Sequence, residues 1–406
     1  MALLIAPQQS DDNRTDTAKE DTALRVLQIL PDLDSGGAER TTVDIAKALT
    51  AAGWGALVAS RGGRLAHELK SNGGELVRID AASKNVRTIF ANAGRLARLI
   101  RERNISLIHA RSRAPAWSAL MASRRANIPF VTTYHGIYNA KGPLKRWYNS
   151  VMTRGDVVIA NSQWTAEHIR AMYPSRKKQL VVIPRGIDLA YFDPEKVTPE
   201  RVARLRGEWH VRPSERVILL PGRLSRWKGQ AILLEALGLL VRAGRLPGGI
   251  RAVIAGDAQG RDRYAEELNA MIASQDLHGV AQVSSHIEDM AAAYCAADIV
   301  VSASSEPEAF GRVPPEAAAM GRVVIATDHG GTRETVLPGQ SGLLVKPGNA
   351  AALADALQDL LARRPEELSR MGANGRVHIA RNFSLERMCT ETLAVYRSLI
   401  PGAAKA

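Results

Sequence analysis

Residues 299–317 read IVVSASSEPEAFGRVPPEA and contain a strand, a loop and the start of a helix. The first four residues are typical of a short buried strand, and Pro314 or Pro315 favours the first turn of a helix. Buried strands that alternate with helices are typical of parallel sheets with helices on both faces. Similar units occur on both sides of this stretch, which predicts an α/β protein.

Working outward from this unit, aliphatic runs predict thirteen strands. They lie at residues 24–30, 56–60, 76–79, 107–109, 130–133, 157–160, 180–183, 216–220, 250–255, 280–284, 299–302, 323–326 and 342–345. Amphipathic stretches between them predict helices at 41–52, 86–103, 231–243, 263–275 and 351–363. A last helix at 385–400 follows Ser384, which is predicted to cap it.

The chain has 406 residues, more than one hydrophobic core usually supports, so two domains are expected. Residues 184–213 contain Gly186, Pro194 and Pro199 and are predicted to be a linker with one or two helical turns. The predicted divisions are a disordered tail at 1–22, a first domain at 23–190, a second domain at 191–383 and the final helix region at 384–406.

The composition indicates a soluble protein, because 46% of the residues are hydrophobic and 23% are charged. No apolar run approaches the ~20 residues that span a bilayer. The opening apolar residues are too few for a signal peptide, so a cytoplasmic protein is expected. Cys295 and Cys389 do not have the spacing of metal ligands, which argues against a zinc site or a disulfide framework.

The net charge of +13 is unevenly distributed. Residues 1–200 hold 29 Lys and Arg against 19 Asp and Glu, a net charge of +10. This asymmetry is consistent with an acidic partner for the first half, namely an anionic membrane surface, a phosphorylated acceptor or nucleic acid. The alternative is a well-solvated, arginine-rich surface.

Two glutamates stand eight residues apart, Glu308 in the glycine-containing loop and Glu316 in the first turn of the apolar helix. A carboxylate there can accept hydrogen bonds from the diol of a ribose or a sugar. The backbone amides of Phe310, Gly311, Arg312 and Val313 could hold a phosphate. A plain interaction with the helix dipole is the alternative for Glu316, but it does not explain Glu308.

Three other motifs follow predicted strands, where ligands bind in open α/β sheets. Arg223 and Lys228 lie in one loop and can pair with phosphate oxygens, although a solvated loop is the alternative. The pair Gly36 and Gly37 allows positive φ and a close approach to a phosphate, or forms a structural turn. His135 can hydrogen-bond a substrate hydroxyl, or be a capping or buried histidine.

At these residues the sequence resembles the retaining glycosyltransferases of the GT-B fold, in particular the family 4 group that includes lipopolysaccharide-core, mannosyl and sucrose-forming transferases. The resemblance covers residues 24–400. It is carried by Gly36-Gly37, His135-Gly136, Ile183-Pro184-Arg185-Gly186-Ile187-Asp188, Gly222-Arg223, Lys228-Gly229, Glu308 with Glu316, Met320-Gly321, Gly330-Gly331-Thr332-Arg333-Glu334 and Ser341-Gly342-Leu343-Leu344-Val345.

The resemblance implies two Rossmann-like domains that face each other across a cleft, with the final helix crossing back to the first. It implies that Arg223 and Lys228 neutralise the donor diphosphate. Glu316 would hold the ribose, and Glu308 would hold the donor sugar, with the amides near Phe310 and Gly311. Gly37 would approach the diphosphate and His135 would face the sugar.

The resemblance also implies retention of anomeric configuration, with the leaving phosphate helping to deprotonate the acceptor, and implies neither a metal nor a cofactor. The donor would be a UDP- or GDP-sugar. The usual aromatic-x-Gly step at the nucleobase is replaced by Val283-Ser284-Ser285-His286-Ile287, so the base preference stays open. His286 and Ile287 are expected to bound the base through main-chain groups.

For the acceptor, we expect a lipopolysaccharide-core or lipid-linked glycan and no nucleic acid. The segment 141–154 mixes cations with Trp147 and Tyr148, which gives the hypothesis of peripheral attachment to the inner membrane. Three alternatives share the fold: a nucleotide-sugar 2-epimerase, a PLP-dependent glycan phosphorylase and a non-catalytic sugar-nucleotide-binding module. The epimerase pattern is not seen, no Schiff-base lysine is marked, and the intact site motifs argue against the module.

Overall fold

Seven parallel strands form the first sheet of the computed structural model, which describes residues 24–34, 36–138, 142–175, 178–257, 260 and 262–400. The strand order is β3-β2-β1-β4-β5-β6-β7, and every neighbouring pair is parallel. The strands are β1 Arg25–Ile29, β2 Gly55–Ser60, β3 Glu75–Arg78, β4 Leu107–Ala110, β5 Phe130–Tyr134, β6 Val157–Ala160 and β7 Gln179–Val182.

Six further parallel strands form the second sheet, in the order β10-β9-β8-β11-β12-β13. They are β8 Arg216–Pro221, β9 Ile250–Ala255, β10 Ala281–Ser284, β11 Ile299–Ser302, β12 Val323–Thr327 and β13 Gly342–Val345. All thirteen predicted strands are therefore confirmed to within one residue at each end. The predicted α/β class with two Rossmann-like sheets is confirmed as well.

Helices cover both faces of each sheet. Those of the first half are α1 Gly37–Ala51, α2 Ala66–Ser71, α3 Val86–Glu102, α4 Arg113–Ala126, α5 Pro143–Asn149 and α6 Gln163–Met172. Those that follow are α7 Pro199–Glu208, α8 Gln230–Arg242, α9 Asp262–Ser274, α10 Met290–Ala296, α11 Val313–Ala319, α12 Thr332–Thr335, α13 Ala350–Ala362, α14 Pro365–Asn382 and α15 Leu385–Leu399. Short 3-10 turns occur at Ser150–Thr153, Pro194–Lys196 and Arg226–Lys228.

Helices α2, α4, α5, α6, α10, α12 and α14 were not among those named from the sequence, and two others differ from expectation. Helix α1 begins at Gly37, four residues before the predicted start, because the glycine pair itself enters the first turn. Helix α7 has ten residues, more than the one or two turns predicted for the linker, since Pro199 is a favourable first helical residue. Helix α14 was not among the predicted helices, and its glycines and many charged residues weaken the apolar pattern.

Strand order reverses between β1 and β4 in the first sheet and between β8 and β11 in the second. Ligands of open α/β sheets bind beyond the carboxyl ends of the strands at such a point. The loops after β8 and β11 hold Lys228 and Glu308, and the segments after β1 and β5 hold Gly37 and His135. The topology thus directs the predicted site residues to these strand ends.

The last helix crosses back to the first domain, as the resemblance implied. Ser384 caps α15 by accepting the N–H of Arg387 at 3.2 Å. Met388, Leu393, Tyr396 and Ile400 of this helix region share one apolar cluster with β1, β2 and α1. The predicted tail at 1–22 and residues 401–406 lie outside the described residues.

A buried polar contact also ties α15 to the first sheet, and it allows a stability test. The Tyr396 hydroxyl lies 2.5 Å from Nδ1 of His109, whose Nε2 lies 2.7 Å from Oγ1 of Thr133. Tyr396→Phe leaves a buried ring nitrogen without its partner, so the free energy of unfolding should fall by about 1–3 kcal/mol in urea denaturation.

The matched control is Tyr148→Phe. The Tyr148 hydroxyl is buried and has no hydrogen-bond partner in the part of the chain that the structure describes. Its removal should change the free energy of unfolding by less than about 0.5 kcal/mol or raise it. Equal effects of the two substitutions would contradict a role of Tyr396 in holding the last helix.

Candidate active site

An ion pair joins the two most distinctive motifs. Lys228 Nζ donates to Oε1 of Glu308 at 2.8 Å, and the Ser304 hydroxyl donates to the same oxygen at 2.6 Å. Both charged side chains are largely removed from solvent, with 19% and 14% of their surface exposed. The Lys228 ammonium also lies 4.5 Å from the centroid of the Trp227 ring. The loops after β8 and β11 are therefore joined by this ion pair, which the sequence did not predict.

Gly229 makes this approach possible. It has φ of +78°, and a side chain there would place its Cβ 2.0 Å from the carbonyl oxygen of Ala303. Only glycine fits such a position without moving the loop. The Ser305 N–H also donates to the Trp227 carbonyl at 2.7 Å. The loop after β8 is consequently docked against the loop after β11.

The second glutamate is buried and paired within its own domain. Glu316 Oε2 accepts the Tyr294 hydroxyl at 3.0 Å, and Oε1 lies 2.6 Å from Nη2 of Arg312. The Glu316 charge raises the pKa of Arg312, so this guanidinium remains positively charged. Burial raises the pKa of the Tyr294 hydroxyl well above its usual value, which keeps it a donor. Glu316 is thus held in one orientation.

His135 lies on the first-domain wall between two arginines. Its Nδ1 is 3.2 Å from Nη2 of Arg185, and its Nε2 is 3.4 Å from Nη1 of Arg111. Burial and these two positive charges lower the pKa of His135 well below 6.5, so the ring is neutral at neutral pH. Because a guanidinium only donates, only one of the two contacts can be a hydrogen bond, and the other ring nitrogen carries the proton.

Gly36 and Gly37 leave room for neighbouring side chains and do not have the positive φ of the left-handed region. Gly36 has φ of 173°, which is extended backbone, and Gly37 begins α1. The pair therefore does not use the positive φ that glycine allows. A Cβ on Gly37 would lie 2.2 Å from Nη1 of Arg185, so the missing side chain makes room for this guanidinium, and the approach to a phosphate stays a prediction. Ser35 lies outside the described residues.

A cleft with a volume of about 300 Å³ is lined by both domains. Its walls include His135, Arg185, Glu308 and Arg312. Arg185 has no carboxylate partner among the residues that the structure describes, and burial lowers its pKa to about 10. The lining also includes the exposed Glu306, while Glu308 is paired with Lys228 and Arg312 with Glu316. Arg185 is therefore a buried cation at the cleft that can interact with an anion.

Phe310 and Gly311 also line this cleft, whereas Arg223, His286 and Ile287 are not among its lining residues. Arg223 is exposed and forms no ion pair within the described chain. His286 is exposed, whereas Ile287 is 7% exposed and packs in the second-domain core. Phe310 is 1% exposed, so only its main chain is available, as predicted.

Several residues of the site received no role from the sequence. Arg185 belongs to the motif at residues 183–188, but no role was predicted for it. It follows β7 as His135 follows β5, and this position at the end of a strand could have identified it. Ser304 was detectable only as a hydroxyl near Glu308. Arg111 directly follows β4 and carries the same positional signal as Arg185, whereas Tyr294 lies in α10 and carries no local signal.

Comparison with protein families matches both halves of the chain. Residues 35–191 match the model described as Glycosyltransferase Family 4, and residues 203–378 match that described as Glycosyl transferases group 1. A D-inositol 3-phosphate glycosyltransferase of Segniliparus rotundus is 31% identical over 318 residues, which cover 74% of this chain and 68% of that protein.

Solved structures are similar to this chain over nearly its whole length. A glycosyltransferase from Rickettsia africae is 34% identical, with a TM-score of 0.86 over 94% of this chain and 100% of its own. HepE from Anabaena in complex with UDP-glucose is 25% identical, with a TM-score of 0.78 over 93% of this chain and 100% of its own. The similarity to these structures includes both sheets and the cleft between them.

The buried histidines predict how stability depends on pH. Burial lowers the pKa values of His109 and His135 below 6.5, so below that pH the unfolded chain binds protons that the folded chain does not. The free energy of unfolding should therefore fall as the pH drops from 6.5 toward 5, by up to about 1.4 kcal/mol per pH unit for each histidine.

His135→Gln should remove the contribution of one histidine to the slope of the free energy of unfolding against pH. This is measured by urea denaturation at several pH values. His67→Gln, at an exposed position of α2, serves as the control and should keep the wild-type slope. If His135→Gln and the wild type have equal slopes, His135 is not neutral in the folded protein.

Proposed function

Because the chain belongs to the family 4 glycosyltransferases of the GT-B fold, we propose that it transfers a hexose-type sugar from a UDP-sugar to an acceptor hydroxyl with retention of configuration. The observation that supports this most is the buried Arg185, which has no carboxylate partner among the described residues, in a cleft that Glu308 lines and beside which Glu316 is held by Arg312 and Tyr294. Cations suit a diphosphate, and carboxylates suit hydroxyl groups of a ribose or sugar. HepE was solved with UDP-glucose, so UDP is the nucleotide to test before GDP.

Each residue has a proposed role. Lys228 and Arg223 bind the diphosphate from the second domain, and Arg185 binds it from the first, beside Gly37. Glu316 accepts the ribose hydroxyls, and Glu308 accepts those of the sugar. The Phe310 and Gly311 amides support the same group, since they donate to no backbone carbonyl in the described residues.

In the proposed reaction the bond between the anomeric carbon and the β-phosphate oxygen breaks, and its electron pair leaves with UDP. The acceptor oxygen bonds to the anomeric carbon on the same face, and its proton passes to the departing phosphate oxygen. Lys228 and Arg185 stabilise the charge that develops on that phosphate, which is the work a metal ion does elsewhere. Neither a metal nor a cofactor is required in this scheme. Neutral His135 faces the sugar and exchanges a hydrogen bond with it.

The acceptor is proposed to be a glycan that carries negative charge or lies at a negatively charged surface. The first domain holds most of the excess positive charge of the chain. Our specific candidate remains a lipopolysaccharide-core or lipid-linked glycan. The Segniliparus relative is named for D-inositol 3-phosphate instead, so this part of the resemblance stays a prediction.

An exposed aromatic segment supports peripheral attachment to a membrane. Leu144 is 83% exposed and Trp147 is 57% exposed, and Lys145 and Arg146 lie between them on α5. The Trp147 ring stacks on that of Trp117 at 4.6 Å between centroids. Such a mixture of apolar side chains and cations is typical of interfacial segments. Within the described residues no helix is both long and apolar enough to cross a membrane, and Lys141 lies outside them.

The donor site is tested by the release of UDP from UDP-sugars. Lys228→Ala and Glu316→Ala should each lower the turnover number by roughly 100-fold, because each loses a charged group that is oriented toward the donor. Lys346→Ala, at an exposed position after β13, is the matched control and should retain activity. If neither site variant changed turnover, the assignment of the site would be wrong. A panel of donors ranked by thermal stabilisation identifies the preferred nucleotide.

The membrane hypothesis is tested by co-sedimentation with vesicles that contain phosphatidylglycerol. Reversal of charge in Lys145→Glu/Arg146→Glu should weaken binding roughly tenfold or more, since each cation near an anionic surface contributes about 1 kcal/mol. The control is Arg124→Glu/Arg125→Glu at the end of α4, which changes the net charge by the same amount. It should bind the vesicles more strongly than the α5 variant does. Binding that is independent of anionic lipid and of these residues counts against attachment through α5.

A further inference from the structure

The first turn of α6 connects the two domains across the cleft. The Glu334 carboxylate accepts the N–H groups of Gln163 and Trp164, each at 2.9 Å. Glu334 belongs to α12 of the second domain, whereas α6 belongs to the first. The first amides of a helix lack partners within the helix, and a carboxylate there also interacts with the positive end of the helix dipole. The second domain therefore caps a helix of the first.

The same turn holds the loop that carries Glu308. The Ser162 hydroxyl donates to the Ala309 carbonyl at 2.5 Å, and Oγ1 of Thr165 lies 3.1 Å from that carbonyl. Ser162 and Thr165 are fully buried. Because Ala309 directly follows Glu308, the first domain fixes the backbone of the proposed sugar-binding residue.

The two segments that contact α6, the loop at Glu308 and the turn before Glu334, also pack against each other. The Gly331 N–H donates to the Glu308 carbonyl at 2.9 Å. A Cβ on Gly330 would lie 2.3 Å from the same carbonyl oxygen, and one on Gly331 would lie 2.6 Å from Cα of Phe310. The backbones of the two segments are thus in direct contact. The segment that leads into Glu334 is therefore packed on the backbone of Glu308.

On its other side, this turn contacts the predicted histidine. Asn161 Nδ2 lies 3.4 Å from the His135 carbonyl, and Asn161 Oδ1 lies 3.0 Å from Oγ1 of Thr165. Residues 161–165 therefore contact the backbone at His135 in one domain and at Ala309 in the other.

We infer that residues 161–165 and Glu334 are positioning residues that align Glu308 with His135 when the two domains close. The inference rests on the proposed function for its catalytic consequence. None of Ser162, Thr165 and Glu334 is proposed to contact the nucleotide, so the affinity for UDP should depend on this contact far less than turnover does. The turnover number should depend on it, because a small misplacement of Glu308 alters the geometry around the transferring sugar.

Kinetics of Ser162→Ala and Thr165→Val test the inference. Each should lower the turnover number for UDP release by roughly tenfold while the Kd for UDP changes by less than about twofold. The control is Asn349→Ala, which removes a side-chain cap of α13 that accepts the Ala352 N–H at 2.9 Å without contact between domains. If both variants retain the turnover number of the control, the inference is overturned.

A double-mutant cycle tests whether Ser162 acts through Glu308. In the Glu308→Gln background, Ser162→Ala should lower turnover by less than about threefold further, since residues that act as one unit are not additive. Full additivity would overturn the inference even if both single variants were impaired.

Hydrogen exchange tests the contact without reference to activity. Glu334→Gln loses a charged acceptor, so the amides of Gln163 and Trp164 should exchange roughly tenfold faster than in the wild type. Unchanged exchange would overturn the contact between domains. If the wild type released no nucleotide from any sugar donor, the proposed function would fail, and the exchange result would still decide the contact.

Discussion

The pairing of Lys228 with Glu308 is the interaction on which the arrangement of the cleft depends. Removing a carboxylate and an ammonium from water is costly unless each has a close partner, and here the partners come from adjacent loops. The close approach requires a glycine at position 229, and the Ser304 hydroxyl satisfies the carboxylate further. With that pair neutralised internally, Arg185 is left to interact with an incoming anion.

The fold was predictable because its signal is local. Each strand is a short aliphatic run, and a buried parallel sheet needs little else, so strand positions followed directly from the pattern. Lys228, Glu308 and His135 were predictable because each follows a strand of a parallel sheet. Their roles toward a substrate came from the resemblance and remain proposals.

The remaining features depend on contacts between distant parts of the chain. Ser162 and the Ala309 carbonyl are separated by 147 positions, and a serine at a helix start has an ordinary local explanation as a cap. The glycine pair illustrates the same limit, since its space is taken by the side chain of Arg185, nearly 150 residues away. Sequence pattern can identify such residues, but only the packed structure shows what they contact.

The return of α15 to the first sheet makes the first domain discontinuous in sequence. Its apolar cluster combines Val26, Leu49 and Val58 with Leu393 and Tyr396. The second sheet, by contrast, is formed entirely by residues between Arg216 and Val345. During synthesis on the ribosome, the second domain can therefore complete its core before the first, although the first begins to emerge earlier. Until residues 388–400 have left the exit tunnel, part of the first core lacks its cover, and its apolar residues stay exposed to solvent.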